Sequence, residues 1–161
     1  MENETHAPGA TLRAAGYYIA RSSAGCPHCG TTTGVTALAV APGHETRDDE
    51  SDDWLPVAAN AFCFHVAAVS PAVCRRLLEE ASNFRLVASE TGSAHWANHC
   101  EHCGSELSDD ELHCEPGAHG FVPCSEAQAS GITLVEVPEP FEAAVGGVAL
   151  EPEFFEFMRR A

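Results

Sequence analysis

Two short stretches carry the residue types that can do chemistry, "CPHCG" at 26–30 and "CEHCG" at 100–104. Both read C-x-H-C-G, so one local device occurs twice. Two cysteines at this spacing suit a thiol–disulfide centre or half of a metal site. The residues after the first pair help to separate the two. A redox pair sits at a helix N-terminus, whose dipole lowers the pKa of the first thiol. After Cys29 the chain reads Gly-Thr-Thr-Thr-Gly-Val, a poor helix start. A single dithiol also has no need of a duplicate. The metal reading therefore leads. Thiolates from Cys26, Cys29, Cys100 and Cys103 complete a closed tetrahedral four-cysteine site, the structural form of zinc. Four sulfurs suit zinc or iron and not magnesium or calcium. Gly30 and Gly104 follow each second cysteine, where a positive φ lets the backbone approach the metal. One Zn²⁺ per chain is the expectation. A thiol–disulfide redox protein, or another enzyme using the Cys pairs, is the alternative.

The gap between the pairs is long, with 70 residues between Cys29 and Cys100. The usual gap is about 15–20 residues. Loop closure grows only logarithmically, so the extra length costs roughly 1 kcal/mol. Structural zinc contributes about 10–16 kcal/mol, so the metal wins. The rest of the fold is then inserted between two zinc knuckles.

Other candidate ligands are weaker. His28 and His102 sit inside the turns and are expected to point outward. His95 and His99 flank Trp96 and default to the surface. Cys63, Cys74, Cys114 and Cys124 could join His113 and His119 in a second site, but "LHCEPGAHGFVPC" has no C-x-x-C turn. Buried or incidental thiols are the simpler reading. Four cysteines leave no open position for a catalytic water. The H-E-x-x-H pattern is absent: "HETRD" at 44–48 ends in Asp48. No deaminase pattern, no G-x-S-x-G and no P-loop occurs. No catalytic residue is assigned.

These turns need elements to hold them. "YYIA" at 17–20 and "GVTALAV" at 34–40 read as strands around the first pair. "NAFCFHVAAV" alternates, placing Phe62, Phe64 and Val66 on one face and Cys63 and His65 on the other. "SPAVCRRLLEEASN" reads as a helix with Ser70 as cap, Pro71 in the first turn and Asn83 as a left-handed stop. Val73, Leu77, Leu78 and Ala81 form its apolar stripe, with Cys74 beside it. "FRLVAS" at 84–89 and "GITLVEV" at 131–137 are further strands. Residues 1–15 read as a flexible start, 16–150 as one zinc-ribbon-containing domain and 151–161 as a short helix or tail. Within the domain, 42–56 is an acidic loop; between Glu45 and Asp53 it holds six carboxylates and one arginine. It lacks the order and the central glycine of a calcium loop. The fold class is α+β: a β-rich zinc ribbon built from two distant knuckles, with a strand–helix–strand insertion.

Composition limits the partners. Acidic residues number 24 against 8 basic ones, for a formal charge of -16. Four thiolates and one Zn²⁺ take this to about -18. Such a surface repels phosphate backbones, so the expected partner is a protein and not a nucleic acid. No apolar run approaches the roughly 18 residues of a spanning helix, and the start "MENETHAPGATLRAAG" has no apolar leader core. The expected location is the cytoplasm, without membrane attachment, where eight cysteines point to metal before disulfides.

The stretches "YYIARSSAGCPHCGTTTGVTALAV" and "HWANHCEHCGSELSDDELHCEPG" resemble bacterial zinc-ribbon proteins of no assigned function. The shared pattern is a C-x-x-C-G after an aromatic-rich strand and before a V-x-A-L strand. A second C-x-x-C-G comes after an aromatic-x-Asn-x-Cys run, before a segment ending in Glu-Pro-Gly. The resemblance covers about 50 residues around the cysteines. It implies zinc at Cys26, Cys29, Cys100 and Cys103, and no activity. The acidic loop and the other cysteines lie outside the pattern.

Overall fold

The computed structural model describes residues 6–48, 50–88, 94–114 and 120–161. Strands dominate. The first are β1 (Leu12–Ala14), β2 (Tyr17–Gly25), β3 (Thr32–Val40), β4 (His44–Arg47), β5 (Trp54–Val57) and β6 (Ala61–Val69). Helix α1 (Pro71–Glu80) comes next, then β7 (Phe84–Ala88), β8 (Ala94–His99) and β9 (Glu106–Leu107). The chain continues through two short helices, α2 (Asp109–Cys114) and α3 (Glu126–Ala129). It ends with β10 (Thr133–Val137), β11 (Phe141–Leu150), a 3₁₀ turn (Phe155–Phe157) and β12 (Arg159–Arg160). The architecture is α+β, rich in strand.

Among the described residues, nine strands form one sheet in the order β12-β10-β2-β3-β6-β11-β1-β4-β5, and β7-β8-β9 form a second. Both faces of the large sheet carry apolar side chains, so its middle strands cannot alternate wet and dry. Along β3, Leu38 and Val40 enter one cluster while Val35, Ala37 and Ala39 enter the other. The first cluster joins Leu12, Ile19, Phe141 and Cys63 to Val73 and Leu77 of α1 and to Phe84 and Trp96 of the small sheet. The second joins Ala20, Phe62 and Leu134 to Leu112, Phe121, Phe155 and Met158. Cys26 and Cys100 belong to this second cluster.

Several elements differ from the sequence reading. The start expected to be flexible contains β1, paired with both β11 and β4, and Leu12 is fully buried. The acidic segment 42–56 contributes a hairpin. His44 pairs with Val57 and Arg47 with Trp54, Glu45 lies on β4 opposite Pro56, and Asp48, Glu50, Asp52 and Asp53 lie between the two strands. Trp54 is half-buried, with the guanidinium of Arg13 4.2 Å and that of Arg47 4.8 Å from its ring centre. The C-terminal segment forms one 3₁₀ turn and then pairs in parallel with β10, Thr133 opposite Arg159. On α1 the buried stripe is Val73 and Leu77, continued by Ala81, while Leu78 is exposed. Each fully buried aliphatic side chain here contributes about 1.5–3 kcal/mol. Pro71 opens α1 as expected, but Ser70 makes no side-chain cap, and the helix stops at Ala81 rather than through a left-handed Asn83.

The central strand β6 shows why alternation failed. His65 has φ 51°, a left-handed backbone inside a strand. The register to β11 holds across it, with Phe64 opposite Gly147 and Val66 opposite Val145, and shifts by one only beyond, where Ala68 faces Ala144. The left-handed residue breaks the two-residue alternation, so Val66 shares the Cys63 face and both reach the first cluster. The partner strand accommodates it with glycine. A Cβ at Gly147 would lie 2.4 Å from the Phe64 ring, and one at Gly146 2.8 Å from His65 Cβ.

Candidate metal centre

Each cysteine pair lies in a six-residue turn closing a hairpin. The first, residues 26–31, joins β2 to β3, where Gly25 pairs with Thr32. The second, residues 100–105, joins β8 to β9, where His99 pairs with Glu106. The turns have the same internal bonds. Cys26 N–H donates to Thr31 O at 3.0 Å and Gly30 N–H to Cys26 O at 2.9 Å. Cys100 N–H donates to Ser105 O at 2.8 Å and Gly104 N–H to Cys100 O at 3.0 Å. Gly30 and Gly104 have φ of 74° and 77°, conformations that disfavour any other residue. Neither pair opens a helix, so the dipole that sharpens a redox dithiol is missing from both.

The large sheet and the small one bring the turns face to face. All four sulfurs lie within 4.8 Å of one another, and all four are free thiols. Cys26 Sγ is 3.6 Å from Cys103 Sγ, and Cys29 Sγ is 3.6 Å from Cys100 Sγ. A tetrahedron with metal–sulfur bonds of ~2.3 Å has edges of about 3.8 Å, so the four residues fit a metal of that size. The inner cysteines, Cys26 and Cys100, are buried, while Cys29 and Cys103 are exposed.

The turns also favour thiolates. The Ser105 hydroxyl, then its backbone N–H, pulls the Cys103 thiol down to about 6. The Thr31 hydroxyl and N–H lower Cys29 in the same way. His102 N–H donates to Cys100 Sγ at 3.4 Å. Cys26 is pulled both ways. The Cys29 N–H favours its thiolate, burial and the neighbouring sulfurs oppose it, and its thiol ends at about 11. Sulfurs this close cannot all ionise against one another. A dication at their centre relieves that conflict.

Side chains not foreseen from the sequence dock the hairpins. Asn98 on β8 is fully buried; its Oδ1 accepts from Thr36 N–H at 2.7 Å and its Nδ2 donates to Thr36 O at 2.9 Å. It thus acts as a stretch of backbone ladder between β8 and β3. Asn83 Nδ2 donates to Gly34 O at 2.7 Å and to His99 O at 3.0 Å. Glu101, inside the second turn, accepts from Gly34 N–H at 3.1 Å, and its own N–H donates to Thr33 Oγ1 at 2.9 Å. One signal was available. The repeat extends a residue further, to a hydroxyl after each glycine, Thr31 and Ser105.

The other candidates lie elsewhere. His28 and His102 are exposed on their turns. His95 Nε2 is 3.4 Å from Glu106 Oε2. His99 Nδ1 is 3.3 Å from Asn83 O. Cys63 is in the first cluster, where burial pushes its thiol up to about 12; Cys74 packs against the same cluster, and Cys124 is exposed. His44, from the "HETRD" stretch, is buried in β4 with Nδ1 2.9 Å from Ala41 O. The Cys114 side chain and His119 lie outside the described residues. Among the described residues, metal-ligand side chains gather only at the four cysteines.

His113 is buried against Phe121, Phe64 and Phe62, with ring centres 5.1, 5.6 and 6.5 Å away. Burial, then the nearby His65, lowers its pKa from 6.5 to about 4. The unfolded chain therefore takes up this proton first. The contribution of the neutral ring is complete above about 6.5 and is lost as pH falls through 4, a span of about 3 kcal/mol. In urea unfolding at pH 7 and pH 4.5, His113→Phe should lose less stability between the two pH values than the parent chain, by about 2 kcal/mol. Identical losses would show that this ring does not titrate with folding.

Comparison of the chain with protein-family models, with curated proteins and with solved structures finds no match. Among the described residues, no helix is long and apolar enough to cross a membrane.

Proposed function

We propose that this chain is a zinc-binding protein in which one Zn²⁺, held by Cys26, Cys29, Cys100 and Cys103, clasps two zinc knuckles together in a ribbon. The observation that supports it most is the approach of four free thiols from two like turns to within 4.8 Å. The site is structural: four sulfurs fill the tetrahedral shell and leave no position for a water to be activated. Thr31 and Ser105 hold the outer thiolates, and Asn98, Asn83 and Glu101 fix the hairpins around the metal. Elemental analysis after gentle purification should give about one zinc per chain. A folded protein with no metal defeats the reading, and a red, iron-loaded one would replace zinc with iron.

The role that fits this scaffold is an adaptor for a protein partner. The acidic charge favours a basic or apolar face. The exposed turn of the β4–β5 hairpin, with Glu50, Asp52, Asp53 and exposed Leu55, is the surface to meet it. Nucleic acid is the competing partner for a zinc ribbon, and the charge opposes it. Gel shifts with random DNA and RNA should show no micromolar binding at physiological salt. Binding that persists there makes the ribbon a nucleic-acid module.

A further inference from the structure

We propose that the four-cysteine site is also an oxidation-sensitive clasp, in which a peroxide converts it to two disulfides between the turns, Cys26–Cys103 and Cys29–Cys100, and expels the metal. The metal-release half rests on the zinc reading; the disulfide pairing rests on geometry alone. Each 3.6 Å sulfur pair runs from one hairpin to the other. Each also joins one exposed cysteine to one buried cysteine: Cys103 to Cys26, and Cys29 to Cys100. That division matches the two steps of thiol oxidation. Peroxide reaches the exposed sulfur, and the sheltered one waits beside it as the resolving group. Closing each pair to the ~2.05 Å of a disulfide needs a sulfur shift of about 1.5 Å, within reach of side-chain rotation in exposed turns.

The chemistry balances with hydrogen peroxide as oxidant. The Cys103 sulfur attacks one peroxide oxygen, the O–O bond breaks, and hydroxide leaves and is protonated to water. The resulting sulfenic acid is attacked by the Cys26 sulfur. An S–S bond forms, the S–O bond breaks, and a second water leaves. Cys29 and Cys100 react in the same way with a second peroxide. Each disulfide gives up two electrons and each peroxide takes two. The four coordinated thiolates, two peroxides and four protons yield two disulfides, four waters and free Zn²⁺.

The pairing determines what survives. Disulfides within each C-x-x-C would close each turn on itself and leave the hairpins unjoined. Between the turns, they link the same segments that the metal links, 77 and 71 positions apart in sequence. Oxidation then exchanges a metal clasp for a covalent one and keeps the sheets docked. The reduced protein regains the metal site.

The test treats the zinc-loaded protein with hydrogen peroxide and tracks zinc release with a chromogenic chelator. Disulfides are then mapped by mass spectrometry of a non-reducing digest. The expected result is two disulfides per zinc released, joining Cys26 to Cys103 and Cys29 to Cys100, with zinc rebinding after dithiothreitol. Disulfides of Cys26 with Cys29 and of Cys100 with Cys103 overturn the pairing. Zinc retained while exposed Cys124 is oxidised overturns the clasp. A parallel arm maps chelator-stripped protein. Cross-turn disulfides there, in a protein that purifies without metal, sink the zinc reading and leave the pairing standing.

Discussion

On the proposed zinc reading, Cys100→Ser should lose the metal and lower the melting temperature by at least about 20 °C. Structural zinc contributes about 10 kcal/mol or more, and each kcal/mol moves the melting point of a chain this long by about 2–4 °C. The expected effect is large because the four cysteines come from hairpins of two different sheets, which a metal there would join. Without it, the small sheet is held to the large one by the first cluster and by a few side-chain bonds from Asn98, Asn83 and Glu101. Cys74→Ala is the matched control. That thiol only packs against the first cluster, so its loss costs about 1 kcal/mol and leaves zinc content unchanged. The measurement is zinc stoichiometry and thermal melting of both variants. Equal zinc loss in the two would show that the ligands are wrongly assigned.

Asn98→Ala is expected to be the most damaging change among the side chains that dock the hairpins. Asn98 is fully buried, and its amide satisfies both the N–H and the C=O of Thr36. Truncation strands two buried backbone groups, at about 1–3 kcal/mol each. The melting temperature should fall by roughly 10 °C. Zinc affinity should weaken as well, because the same bonds hold β8 against β3 and so set the distance between the turns. Asn83→Ala removes bonds at a half-buried position and should act more weakly. Competition with a chelator reads the affinity. An Asn98→Ala protein that melts within about 2 °C of the parent and holds zinc equally well would show that this amide does not dock the hairpins.

The parts visible in the sequence were those whose signal is local. The repeated C-x-H-C-G requires a tight turn with glycine at positive φ, and both glycines adopt it. The Ser-Pro start of α1 and the β-branched run of β3 likewise need nothing from elsewhere to be recognised. Strand β11 shows the opposite case. "FEAAVGGVAL", with its glycine pair, is given no element in the sequence reading, yet it runs as ten residues in the middle of the large sheet. The glycines are there because Phe64 and His65 on β6 occupy the space a Cβ would need. That reason lies on a strand about 80 residues away. β1 is similar: three residues with one large apolar side chain become a strand because β11 and β4 offer edges on both sides.

The sequence by itself determined the four sulfurs, their grouping in two like turns and the acidic charge of the surface. Those come from residue type and from spacings of a few positions, where backbone sterics leave little choice. Tertiary structure alone decided which sulfur faces which, that Cys26 and Cys100 are sheltered while Cys29 and Cys103 meet solvent, and that Asn98 joins the hairpins. These depend on how two sheets pack over long loops. Closing such loops is entropically cheap at almost any length, so spacing along the chain says little about which ends meet. The packing of the two apolar clusters selects one arrangement.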